Sequence, residues 1–258
     1  MPAFAKIQDY ELNLSNQFVN AETIAALSEY ILDQTALLNE KVSKQGSANF
    51  VKAHETADES TKNKEKVALN PDQIHIKNLT IDDCGMKDGA FATLMDALVR
   101  QGKLTSITYI NNEFSQQSVD ALSKILGNSA ATGSQDQQFQ HLECLKLGNL
   151  KSGNQNCPGR LIYELMVAVD DHCLKNPLKR LKLQELELGY GTPDFGFDPE
   201  YGYGSVHCIS KQFEWNPGLL ELDISHSKLL PGQLSSLMAA LARQYTDAAG
   251  NSPSKMMM

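Results

Sequence analysis

The chain has 258 residues, 23 Lys and Arg against 31 Asp and Glu, and a formal net charge of -8. That acidic excess argues against a nucleic-acid surface, which needs clustered cations to neutralise phosphates. No apolar run approaches the ~20 residues of a membrane span. Cysteines at 84, 144, 157, 173 and 208 suit neither a disulfide scaffold nor a zinc ribbon. The start, MPAFAKIQDYELNL, lacks a basic segment leading into an apolar core, so no export signal is expected. Reduced thiols in a cytosol-like compartment fit that reading.

Taken in chain order, Leu12 and Leu14, followed by Asn16, read as a short strand, with Asp9 where the later copies carry an apolar residue. Asn20 then precedes a long helix whose Ile24, Leu27 and Ile31 are spaced for burial. Residues 43–70 are charged, with few large apolar side chains, and read as a mobile excursion or a solvated helix. Next, Ile76, Leu79, Ile81, Cys84 and Met86 set a frame, apolar at positions one, four, six and eleven and small or polar at nine. Leu104, Ile107, Tyr109, Asn112 and Phe114 reproduce it 28 residues later. Two full matches in register mark an internal repeat.

A helix follows each copy. Phe91, Leu94, Met95 and Leu98 form one apolar stripe; Ser115 caps the next helix, which carries Val119, Leu122 and Leu126. Weaker copies come later: Leu142, Leu145 and Leu147 with Asn149; Leu183, Leu186 and Leu188 followed by Gly191; and Leu219, Leu222, Ile224 and Leu229 with Ser227. On this reading the steps are 28, 38, 41 and 36 residues. Pro158 and Pro231 mark the first turns of two further helices. Residues 127–140 read as a polar loop, and the Gly- and aromatic-rich stretch 189–206 as irregular structure in place of a helix.

A strand backed by one helix cannot cover its own apolar side, so units must stack, and wide helices behind narrow strands bend the stack into an arc. The chain resembles the leucine-rich repeat family in its long, ribonuclease-inhibitor-like form, over about 76–245 and more weakly over 9–40. The resemblance implies an α/β fold, a curved solenoid with parallel strands on the concave face and helices on the convex face. The reading divides the chain into a cap-like part, 1–70, an array, 71–246, and a disordered tail, 247–258.

Chemistry is scarce in the sequence. The six histidines form no HxxxH pair, and no Walker loop occurs. His207-Cys208 resembles a nucleophile pair, but sequence neighbours usually point apart. No cofactor or metal is expected, and the chain reads as a non-enzyme. Strand alternation turns the intervening residues outward. That outward set holds seven carboxylates (82, 83, 143, 185, 187, 221, 223) against two lysines (77, 146), with Glu185 beside Glu221 and Glu187 beside Asp223. Such like charges would be relieved by a basic surface.

The expected role is a protein–protein interaction module, binding a partner of basic or mixed charge on an acidic concave face. Its candidate contacts are Asp82, Asp83, Thr108, Glu185, Glu187, Tyr190, Glu221 and Asp223. Phe195, Phe197, Tyr201 and Tyr203 on the loop beside Tyr190 are candidate anchors. Neither nucleic acid nor membrane is an expected partner, and the expected compartment is the cytoplasm, or a host cytosol. The resemblance also admits a GTPase activator or other enzyme regulator, a structural subunit of a cytoskeletal or ciliary assembly, and a delivered bacterial effector.

Overall fold

The structure, a computed structural model, describes residues 6–8, 11–52, 75–126, 142–153, 155–173, 176–188, 204–216, 218–229 and 231–250. It opens with β1 (Lys6–Gln8), β2 (Glu11–Asn13) and α1 (Ala21–Lys52), followed by β3 (Asn78–Asp82) and α2 (Asp88–Gln101). Then come β4 (Ser106–Ile110), α3 (Gln116–Ile125), β5 (Cys144–Gly148) and a small hairpin of β6 (Lys151–Ser152) and β7 (Gln155–Asn156). Last are α4 (Gly159–Cys173), β8 (Arg180–Gln184), α5 (Gly204–Trp215), β9 (Glu221–Asp223) and α6 (Pro231–Gly250). The strands β2, β3, β4, β5, β8 and β9 lie parallel in chain order, and β1 pairs antiparallel with β2. The fold is α/β, an open sheet with six parallel strands alternating with six helices.

Local chemistry fixes the element ends. The Asn20 side-chain oxygen accepts the Thr23 N–H at 2.8 Å, and the Ser115 hydroxyl accepts that of Gln117 at 3.2 Å. Both satisfy donors that a first helical turn leaves orphaned. Gly102 closes α2 at φ 67, a left-handed conformation that costs glycine nothing, and its N–H reaches the Leu98 carbonyl. Pro231 opens α6, where its missing N–H is not needed.

Burial alternates along the strands: Leu79 and Ile81 of β3 and Ile107 and Tyr109 of β4 are buried, with half-buried or exposed residues between them. Leu12, Leu79, Ile107, Leu145 and Leu181 meet side by side in one row, each 1% exposed or less. Ile81, Tyr109, Leu147 and Leu183 make a second row. Burying each such side chain stabilises the fold by roughly 1.5–3 kcal/mol. Helical Phe91, Leu94, Ile162, Leu165 and Ile209 join these rows in a single core cluster running from Leu12 to Ala240. Consecutive helices, α1 to α6, pack each against the next.

One sequence expectation is corrected here. The fifth parallel strand is not built on Leu183, Leu186 and Leu188; β8 lies earlier, with Leu181 beside Leu145 and Leu222. The frame is Leu178, Leu181, Leu183, Leu186 and Leu188, and the last two steps become 36 and 41 residues. These evenly spaced leucines fit the apolar positions at two phases. The backbone selects one of them. Asn16, Asp83, Asn111, Asn149, Glu185 and His226 all adopt positive φ, between 43° and 58°, one at the end of each parallel strand. Asn216 donates to the Leu178 carbonyl at 2.8 Å, as Gln101 accepts the Ile76 N–H at 2.8 Å, so a helix-end amide ties down the first frame residue in both units.

One further expectation changes: a full helix, α5, begins at Gly204 inside the stretch read as irregular. Over residues 43–52 α1 continues, the helical alternative for that part of 43–70. Residues 53–70, 127–140, 189–203 and 251–258 lie outside the described residues.

Behind the positive-φ column a buried polar link joins neighbouring turns. The Asn112 side-chain oxygen accepts the Cys84 and Met86 N–H groups, both at 3.3 Å, and its amide donates to the Ile81 carbonyl at 3.2 Å. Ser227 repeats this three units further on: its hydroxyl accepts the Leu186 N–H at 3.1 Å and donates to the Leu183 carbonyl at 2.7 Å. Truncating a side chain that satisfies several buried backbone groups leaves them unpaired. Asn112→Ala is therefore expected to lower unfolding free energy by about 2–3 kcal/mol in urea titrations, against about 0.5 kcal/mol or less for exposed Asn78→Ala.

Candidate interaction surface

The strand face opposite the helices carries the outward residues in columns. One column reads Glu11, Asn78, Ser106, Cys144, Arg180 and Glu221, and the next Asn13, Thr80, Thr108, Lys146, Lys182 and Asp223. All are half-buried or exposed. Thr108 lies near the middle, flanked by Thr80 and Lys146. Asp82, at the end of β3, accepts a hydrogen bond from the Asn111 amide at 2.7 Å, and Asn149 donates to Asn111 at 2.7 Å. Glu221 and Asp223 occupy β9 as the sequence suggested.

Glu185 and Glu187 do not share that face. The shift in β8 moves Glu185 into the positive-φ turn and Glu187 to the rim, paired through the backbone with Lys228. Asp83 occupies the equivalent turn after β3, also exposed. Arg180, Lys182 and Gln184 take the strand positions instead, so the expected like-charge neighbours are replaced by opposite charges. Arg180 lies beside Glu221 and Lys182 beside Asp223; Lys182 Nζ reaches Glu221 Oε1 at 2.5 Å, and the Gln184 amide donates to Asp223 Oδ2 at 2.6 Å. The strands carry four outward carboxylates (Glu11, Asp82, Glu221, Asp223) and three outward cations (Lys146, Arg180, Lys182). The face is mixed in charge rather than acidic. Tyr190, Phe195, Phe197, Tyr201 and Tyr203 lie outside the described residues.

Asp223 is held below the usual carboxylate range, first by the Ser225 backbone N–H and then by the Ser225 hydroxyl, with Gln184 and Lys182 adding to the effect. Its contribution to stability is therefore in place above the unfolded-state value and lost only as pH falls through the lowered folded value. The hydrogen bond to Glu221 holds Lys182 above its usual value.

At the rim, the turns after β8 and β9 and the β6–β7 hairpin enclose a cleft of about 470 Å³. Lys151, Asn156, Glu185, Glu187, His226 and Lys228 line it, and Lys151 Nζ donates to Asn156 Oδ1 at 2.9 Å. Sequence reading missed this cleft because the hairpin residues Lys151, Ser152, Gln155 and Asn156 carry no apolar alternation. Such a lining offers charged and amide hydrogen bonds to a polar ligand. It offers no activated thiol: burial pushes the thiol of the lining residue Cys157 up to about 12.

Burial likewise raises the Cys208 thiol to about 12 and those of Cys84 and Cys173 to about 11. A nucleophile must be a thiolate, so the His207-Cys208 pair is unsuited to that task. Among the described residues no three or more His, Cys, Asp or Glu groups are placed to hold a metal ion, and no helix is long and apolar enough to cross a membrane. Compared with protein-family models, curated proteins and solved structures, the chain finds no match.

Cys144 differs from the other four thiols in lying half-exposed on the outward strand face. Native protein at pH 8 is expected to release about one equivalent of thionitrobenzoate quickly from Ellman's reagent, with the remainder reacting only on unfolding. Loss of the fast equivalent in Cys144→Ser checks the assignment.

Proposed function

We propose that the chain is a non-catalytic protein-binding module of leucine-rich repeat architecture, a curved solenoid that docks a partner protein on the outward face of its strands. The observation that carries this reading is the pair of outward columns, running across six strands with half-buried and exposed polar side chains. The chain-order sheet, the recurring frame and the one positive-φ residue per parallel strand support the architecture. Five free cysteines support a reducing compartment such as the cytoplasm.

The pattern of charge points to a partner of mixed charge. Carboxylates stand toward both ends of the sheet, Glu11 and Asp82 on one side and Glu221 and Asp223 on the other, with Lys146, Arg180 and Lys182 between them. A complementary surface has cations outside and acids at its centre. Such complementarity steers encounter and sets register more than it adds affinity. The rim cleft extends the same surface and suits a polar side chain or loop of the partner.

The test compares surface variants in capture from native extract at low salt. Thr108→Arg combined with Lys146→Glu is expected to reduce retention of the captured protein about tenfold or more, a loss of about 1.4 kcal/mol. Asp96→Ala, on the exposed side of α2, is expected to leave it unchanged, and raised salt is expected to weaken it. Retention that ignores the strand-face substitution contradicts the proposal.

A further inference from the structure

The two ends of the sheet differ. At one end β1 covers β2. At the other, β9 has β8 as its one strand partner among the described residues. Its own apolar residues also stand apart from those of earlier units: Leu178, Leu181, Leu183 and Leu188 are fully buried, whereas Leu219, Leu222, Ile224 and Leu229 are only partly so. Leu220, next to the strand, is 81% exposed.

The helix behind β9 continues the opening. Leu237 and Ala240 of α6 pack into the core, but Leu234 and Met238, on the adjoining stripe, are 53% and 58% exposed, and Leu241 is partly buried. An unpaired strand edge flanked by apolar side chains is a template for another strand. Charge decides what kind. Glu221 and Asp223 alternate with Leu222 along this edge, and β8 shows how the sequence meets them from the other side, with Arg180 and Lys182 alongside and Leu181 against Leu222. A second copy of β9 paired antiparallel about Leu222 would instead set Glu221 against Asp223 twice, a destabilising juxtaposition.

We infer that the open β9–α6 end is a strand-addition site for a partner protein, one supplying an extended segment with Lys or Arg beside Glu221 and Asp223 and aliphatic residues between them. This site adjoins the outward strand face and shares Glu221 and Asp223 with it, but it acts through backbone pairing and the exposed apolar stripe. Like charges opposed across paired strands destabilise and unlike charges stabilise, so the segment's sign is its main specificity.

The probe is a fluorescein-labelled nine-residue peptide alternating Lys and Val, titrated against the full chain by anisotropy at low salt, beside a Glu–Val counterpart. The Lys–Val peptide is expected to bind at least about tenfold tighter, with the preference reversed in Glu221→Lys/Asp223→Lys. Leu234→Glu/Met238→Glu, on exposed positions, is expected to weaken binding about tenfold with the helical circular dichroism unchanged. Absent or equal binding of the two peptides overturns the inference. So does self-association in sedimentation that Leu234→Glu/Met238→Glu abolishes, which assigns the face to a second copy. Binding that appears only after removal of residues 251–258 assigns it to the chain's own last segment and overturns it equally.

Discussion

Each parallel strand in this protein is three to five residues long, too short to bury a useful area unless a neighbour lies beside it in register. Lateral alignment of Leu12, Leu79, Ile107, Leu145, Leu181 and Leu222 is therefore what lets the helices find a common surface to cover. The same alternation that turns those side chains inward turns Thr108, Lys146 and Lys182 outward. Core and outward face are thus two sides of one register. A slip by one residue would exchange them.

The turn at the end of each parallel strand holds that register. A non-glycine residue at positive φ is locally unfavourable, yet the conformation recurs once per parallel strand, mostly on Asn and Asp, which tolerate it best. Its return is an extra ladder bond: Asn16, Asp83, Asn111, Asn149 and Glu185 each donate a backbone N–H to the next strand, at 2.8 to 3.2 Å. Behind the turns the interior alternates in kind. Asn112 and Ser227 fill the ninth frame position with polar links, whereas Leu150 and Leu186 fill it with buried apolar volume. An identical residue there is not required, because either solution leaves the turn dry and packed.

Much of this was readable before any coordinates. The units at 76–86 and 104–114 announce their strands because Cys84 and Asn112 suit the small or polar ninth position, and a shift of five residues would put them on an apolar one. The run from Leu178 to Leu188 does not, since its leucines satisfy the spacing at either of two phases; the deciding features, Glu185 at positive φ and Asn216 bonded to Leu178, are properties of folded backbone. That ambiguity is why Asp82, Thr108, Glu221 and Asp223 occupy the strands where the sequence put them while Glu185 and Glu187 moved to the rim. Arg180 and Lys182 went unnoticed for the same reason, and with them the neutralising partners of the β9 carboxylates. The start of α5 was hidden by the glycines and aromatic residues before it, a composition that favours turns over helix.

The register at β8 is the point on which both the mixed-charge face and the open end depend, and a cross-link reads it directly. In-register neighbours on parallel strands lie about 4.8 Å apart, within the roughly 4.4–6.8 Å between Cα atoms that a disulfide spans. In a Cys144→Ser background, Lys146→Cys paired with Lys182→Cys is expected to oxidise to an intramolecular disulfide in the native protein, seen as a loss of two hydrogens by mass spectrometry and reversed by reductant. Lys146→Cys paired with Glu187→Cys is expected to stay reduced under the same conditions. Cross-linking of the second pair and not the first would contradict the alignment of β5 with β8, and with it the account of the face.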